Sequence, residues 1–134
     1  MAKIAEIEGI GPVYAEKLLK ANVKTVEGLL KVCCEKKGRR EVAKASGIDE
    51  KLILKWTNMA DLFRIKGVAS EISELLEAAG VDTVKELRNR NATNLHGRMV
   101  EVNAEKSLVR QIPSLSQVES FVDQAKNLDP LVSY

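Results

Sequence analysis

Aromatic residues make up 4% of this 134-residue chain, so its core must be built mainly from Leu, Val, Ile and Ala. Three prolines and eight glycines leave little room for disordered linkers. The two cysteines are adjacent, Cys33 and Cys34. A four-cysteine iron–sulfur or zinc site is therefore excluded. They read as small residues on a helix, with redox sensing or metal binding as the alternative. His96 is the single histidine, so no hydrolytic triad or metal set assembles around it, and no cofactor is expected. No stretch approaches the roughly 18 apolar residues of a membrane helix. The first residues, "MAKIAEIEG", carry acidic groups and no apolar run. A secretory signal is not read there, and the expected location is cytoplasmic.

What remains is ordinary globular material, 45% hydrophobic and 30% charged, enough for one domain with a real core. Net charge is +2, but its distribution is uneven. Residues 31–44 hold Lys31, Lys36, Lys37, Arg39, Arg40 and Lys44 against Glu35 and Glu41. Residues 61–84 hold Arg64 and Lys66 against Asp61, Glu71, Glu74, Glu77 and Asp82. A basic stripe is a candidate nucleic-acid surface, although such a run also serves as a solvated helix face.

An internal repeat organises the rest. "IEGIGPVYAEKLLKANVKTVEGL", residues 7–29, aligns without a gap on "IKGVASEISELLEAAGVDTVKEL", residues 65–87. The register pairs Gly9 with Gly67, Leu18 with Leu76, Thr25 with Thr83 and Leu29 with Leu87. More loosely, "DEKLILKWTNMADLF" resembles "SLSQVESFVDQAKNL", setting Trp56 against Phe121. Apolar residues recur at helical spacing, as in Val68, Ile72, Leu75 and Leu76. Thr25 and Thr83 are N-cap candidates, and Thr83 with Glu86, like Ser114 with Gln117, has capping-box spacing. Leu52, Trp56, Met59 and Phe63 form one stripe of a helix from about Glu50 to Arg64. The expected fold is all-α, with eight or nine short helices. It is read as one domain, 1–134, of two repeats at about 1–61 and 62–134.

Within the first repeat, "GIGP" joins two helices. Glycine tolerates positive φ and close approach of another backbone, and Pro12 suits a first helical turn. The unpaired N–H groups at the helix start, backed by the helix dipole, form an anion site that reads phosphate rather than sequence. Lys17 and Lys20 lie one and two turns further on. "IEGIGPVYAEKLLKANV" resembles a helix-hairpin-helix motif, a minor-groove, phosphate-contacting module of many DNA repair and recombination proteins. "IKGVASEISELLEAAGV" is similar but weaker. Nearly the whole chain resembles an uncharacterised bacterial and archaeal family with tandem units of this kind. That likeness is carried by "MADLFRIKGV", "LEAAGVDTVKEL" and "LVRQIPSLSQVESFVDQAK".

The resemblance implies a fold and a nucleic-acid partner but no mechanism. By position, the phosphate donors are the backbone of Gly9, Ile10, Gly11 and Val13, with Lys17 and Lys20 nearby. Lys36, Lys37, Arg39 and Arg40 supplement them. In the second copy the matching positions are Gly67, Val68 and Ala69, followed by Glu71, where a carboxylate satisfies the helix start and repels an anion. That copy is expected to be structural. Lys17 falls where the second copy has Leu75, which predicts a more exposed face in the first copy. The expected function is a non-catalytic, sequence-independent nucleic-acid (DNA) binder. The alternative is a protein-interaction module that uses its hairpins structurally. No catalytic residue is nominated: no Asp follows the first hairpin before Asp49, and Asp82 sits in a turn.

Overall fold

The computed structural model describes residues 3–134. Among them the regular structure is eight α-helices and one short 3-10 turn, Ile4–Glu6. Extended pairing amounts to a single bridge between Lys3 and Thr25. The fold is all-α, and the chain divides into two units, Met1–Asp61 with Leu131–Tyr134, and Leu62–Pro130.

The first unit contains α1 (Pro12–Lys20), α2 (Val26–Cys33), α3 (Lys36–Ser46) and α4 (Glu50–Leu62), whose last residue passes the unit boundary. Pro12 occupies the first position of α1, where its missing N–H removes no helical bond. Thr25 starts α2 by accepting the Gly28 N–H at 2.9 Å, a cap of about 1 kcal/mol. The sharp passage from α2 to α3 requires Gly38, because a Cβ there would stand 1.7 Å from the Val32 carbonyl oxygen. Gly47 ends α3 in the left-handed conformation, its N–H on the Ala43 carbonyl. α3 packs on both α1 and α2. Ile7, Leu18, Leu29, Ile53, Trp56 and Met59 are all but fully buried, each contributing about 1.5–3 kcal/mol.

In α4 the expected single stripe is too narrow. Every residue from Trp56 to Leu62 is buried, so this part of the helix is enclosed all round. Thr57 compensates locally, its hydroxyl donating to the Ile53 carbonyl at 2.7 Å, whereas the buried Asn58 Oδ1 has no hydrogen-bond partner among the described residues. The helix stops at Leu62, two residues short of the expected end.

The second unit contains α5 (Ser70–Ala78), α6 (Val84–Leu87), α7 (Ala92–Lys106) and α8 (Leu115–Lys126). α5 packs on α7, α6 on α8, and α7 on α8. Leu62, Leu75, Leu76, Met99, Val118 and Phe121 belong to its core. Thr83 accepts the Glu86 N–H at 3.2 Å. Asn91 caps α7, and Ser114 with Gln117 closes a complete reciprocal box at α8.

Candidate nucleic-acid interface

The turn before α1 is set by three local features. Gly9 takes φ +93°, the Ile10 N–H donates to the Ile7 carbonyl at 3.1 Å, and the Ala15 N–H donates to the Gly11 carbonyl at 2.9 Å. Ile10 is thus a poor phosphate donor, since its N–H is already used and its side chain is buried. The N–H groups of Gly11, Val13 and Tyr14 make no backbone bond among the described residues. Gly9, Gly11 and Val13 are exposed, Val13 to 66%. No side chain caps α1 and no carboxylate stands in its first turn. Three free donors at an uncapped, exposed helix start suit an oxyanion.

Tyr14, which no motif in the sequence marks, anchors this start. Its ring meets Trp56 edge-on with centroids 5.1 Å apart. Trp56 also lies under Gly9, its indole Nε1 being 3.4 Å from where a Cβ would stand. The Lys17 ammonium lies 5.7 Å from the Tyr14 ring centroid, in cation–π range. Lys17 and Lys20 stand in the last turn of α1, where they complement the carbonyl end of the dipole. They therefore extend the basic surface without touching the helix start. Lys17 is half-buried whereas Leu75 is fully buried, as the exposed-face expectation requires.

The basic run lies on α3, which packs against α1. Lys36, Lys37, Arg40 and Lys44, with Glu41, line an open depression of about 310 Å³. Lys36 and Lys37 occupy the first turn of α3, against the dipole, with no acidic residue in that turn and Glu35 just before it. That placement concentrates positive charge. Arg40 meets Glu50 at 3.9 Å, both largely exposed, so the pair contributes little and is easily exchanged.

Arg39 does not belong to this surface. It is 4% exposed and its guanidinium donates to three carbonyls, Cys33 at 2.9 Å, Cys34 at 3.2 Å and Ser133 at 2.7 Å. It ties the end of α2 to the returning C-terminal segment, where the Ser133 N–H also donates to the Cys34 carbonyl at 2.8 Å. The sequence held the clue, because Arg39, Val42 and Ser46 share the buried face of α3.

Cys33 is buried, and burial pushes its thiol up to about 11 against the smaller opposing effects of the Thr57 hydrogen bond and Arg39. A thiol so placed is a poor nucleophile or metal ligand at neutral pH. Among the described residues no group of three His, Cys, Asp or Glu side chains is arranged to hold a metal. No described helix is long and apolar enough to cross a membrane.

Before α5 the backbone repeats the first turn closely. Gly67 takes φ +95°, the Val68 N–H donates to the Ile65 carbonyl at 3.1 Å, and the Ser73 N–H donates to the Ala69 carbonyl at 2.9 Å. Here the exposed Glu71 stands in the first turn, which sets Gly67, Val68 and Ala69 beside a negative charge. A family model described as a domain of unknown function, DUF4332, matches residues 8–128. No curated protein and no solved structure matches the chain.

Proposed function

For this chain, which belongs to the DUF4332 family, we propose a non-catalytic binding module that grips nucleic acid by its backbone without reading sequence. The observation that carries this reading is the start of α1. Free N–H groups of Gly11, Val13 and Tyr14 lie at an exposed, uncapped helix end. The adjoining α3 carries Lys36, Lys37, Arg40 and Lys44. Backbone donors hold one phosphate, and the lysines neutralise its neighbours. In this reading the turns before α1 and α5 are helix-hairpin-helix units of a tandem pair, and their shared φ values and hydrogen bonds support it. DNA is the favoured partner, and the second hairpin is structural.

Fluorescence anisotropy with duplex DNA, single-stranded DNA and RNA at two salt concentrations tests the proposal. Affinity should be weak, indifferent to sequence and steeply salt-dependent. Replacing Lys36, Lys37 and Arg40 by Ala together should flatten the salt slope by roughly one for each phosphate no longer neutralised. No binding to any of the three polymers at low salt would sink the proposal.

A protein partner is the second reading, favoured by the exposure of Val13 and Leu19 on α1, the latter 51%. A stoichiometric partner recovered from nuclease-treated extract, and lost in Val13→Asp with Leu19→Asp, would favour it over the first.

A further inference from the structure

The acidic start of α5 leaves the second unit without the kind of anion contact proposed for the first. Three of its nine basic residues, Arg88, Arg90 and Arg98, fall in the passage from α6 into α7. Residues 88–98, "RNRNATNLHGR", contain three arginines and no carboxylate. The structure folds this stretch around a pocket of about 270 Å³ lined by Ala79, Asn89, Arg90, Asn91, Asn94, Leu95 and Arg98. Ala79 and Leu95, both buried, supply apolar wall. Asparagine amides and two guanidiniums supply the polar remainder.

These groups are held but not exhausted. Arg90 uses one nitrogen, Nη2, on the Gly80 carbonyl at 2.9 Å and on Glu86 at 2.6 Å. Its Nη1 and Nε make no bond among the described residues, so a preset guanidinium retains free donors. Arg98 meets Glu101 at 3.2 Å in a largely exposed pair, which a doubly charged anion readily displaces. The Asn91 side-chain Oδ1 caps α7 by accepting the Asn94 backbone N–H. The side-chain amide of Asn94 has no bonded partner among the described residues, and it offers a donor and an acceptor side by side.

We propose that this pocket in the second unit binds a single unpaired nucleotide, its phosphate on the Arg90 and Arg98 guanidiniums and its base against the apolar wall with its edge on the asparagine amides. The volume falls just below the usual range of small-molecule sites, roughly 300–1,000 Å³, and is larger than one inorganic anion needs. Guanidinium forks match phosphate, and amide side chains match the donor–acceptor edges of bases. The nucleotide is free or is one residue of a single strand, and both share this chemistry.

The test is NMR titration of the full-length chain with a nucleoside 5′-monophosphate, a short single-stranded oligonucleotide and inorganic phosphate. Backbone signals of Asn91, Asn94, Gly97 and Arg98, with the Asn94 side-chain amide, should move with one or both nucleotide ligands. Which of the two binds more tightly identifies the source. Arg98→Ala should weaken binding by about an order of magnitude. Lys36→Ala with Lys37→Ala should leave the shifts that the nucleoside 5′-monophosphate causes at these residues unchanged, which separates this site from the one on the first unit. The proposal is overturned if neither nucleotide shifts these signals at millimolar concentration, if Arg98→Ala binds like the parent, or if inorganic phosphate alone gives the same shifts with the same affinity.

Discussion

Gly9 and Gly67 open turns with φ +93° and +95° and matching 3.1 Å bonds back to Ile7 and Ile65. The next residues, Gly11-Pro12-Val13 in one and Ala69-Ser70-Glu71 in the other, give the two helix starts different electrostatics. Besides the backbone, the turns share an aromatic neighbour. Trp56 lies against Gly9, and Phe121 lies against Gly67. A Cβ at Gly67 would press on the Phe121 ring, and one at Gly9 would come into ordinary contact with Trp56. Packing thus explains why the turn exists in both places, and it leaves phosphate chemistry to the few residues that differ.

Substituting the two glycines breaks the shared part and should give the largest effect. An L-residue at these φ values is strained wherever it stands. At Gly67 the new Cβ also comes within 3.1 Å of Phe121, against 3.4 Å from Trp56 at Gly9. Gly67→Ala should therefore destabilise by about 2–3 kcal/mol and Gly9→Ala by about 1–2 kcal/mol, measured by urea unfolding. Equal losses would mean that the aromatic ring adds nothing to the backbone requirement.

Beyond the turns and their helices the two units diverge. In the first unit α2 runs on to the buried Cys33, whereas the residue at the equivalent register in the second, Asn91, is an exposed cap that does not titrate. Burial raises the Cys33 thiol from 9.0 to about 11. Between those values the folded chain keeps a proton that the unfolded chain releases, so stability falls as pH rises through that window. The loss should be on the order of 2 kcal/mol near pH 11. Trp56, the sole tryptophan, reports this from the first unit. Denaturation followed by its fluorescence at pH 8 to 11 should show the slope, and Cys33→Ala should remove most of it. An unchanged slope in that variant would assign the effect to other groups.

Much of this arrangement is legible in the sequence. Thr25, Thr83 and Ser114 cap the helices their spacing announces, because a cap is a contact between residues three apart. The glycine turn is legible for the same reason. Arg39 is legible only in part, since a basic residue inside a basic run looks solvated until the face it shares with Val42 and Ser46 is traced. Its principal long-range partner is a carbonyl at Ser133, 94 residues away, and no local pattern announces that return of the chain. The buried girdle of Trp56 to Leu62 is hidden as well, because Thr57, Asn58 and Asp61 interrupt the apolar stripe. The pocket at Arg90 and Arg98 depends on Ala79 meeting the α6–α7 segment, and spacing along the chain does not reveal that.

The smallest expected effect bears most directly on function. Val13 and Glu71 occupy corresponding first-turn positions, both exposed, so exchanging their chemistry alters electrostatics with little change in packing. Val13→Glu puts a carboxylate beside the free N–H groups of α1. That should stabilise the helix by about 0.3–1 kcal/mol and weaken nucleic-acid binding by a similar amount, roughly two- to five-fold. Glu71→Gln should do the reverse to α5, lowering stability slightly and removing the repulsion at the second turn. Opposite signs for stability and affinity in one variant are the mark of a helix start that holds an external anion, since a structural cap would improve without any loss. If Val13→Glu binds as tightly as the parent while Lys36→Ala with Lys37→Ala abolishes binding, the turn holds no phosphate. The contact then belongs to α3 alone, and the turns before α1 and α5 differ in sequence but not in role.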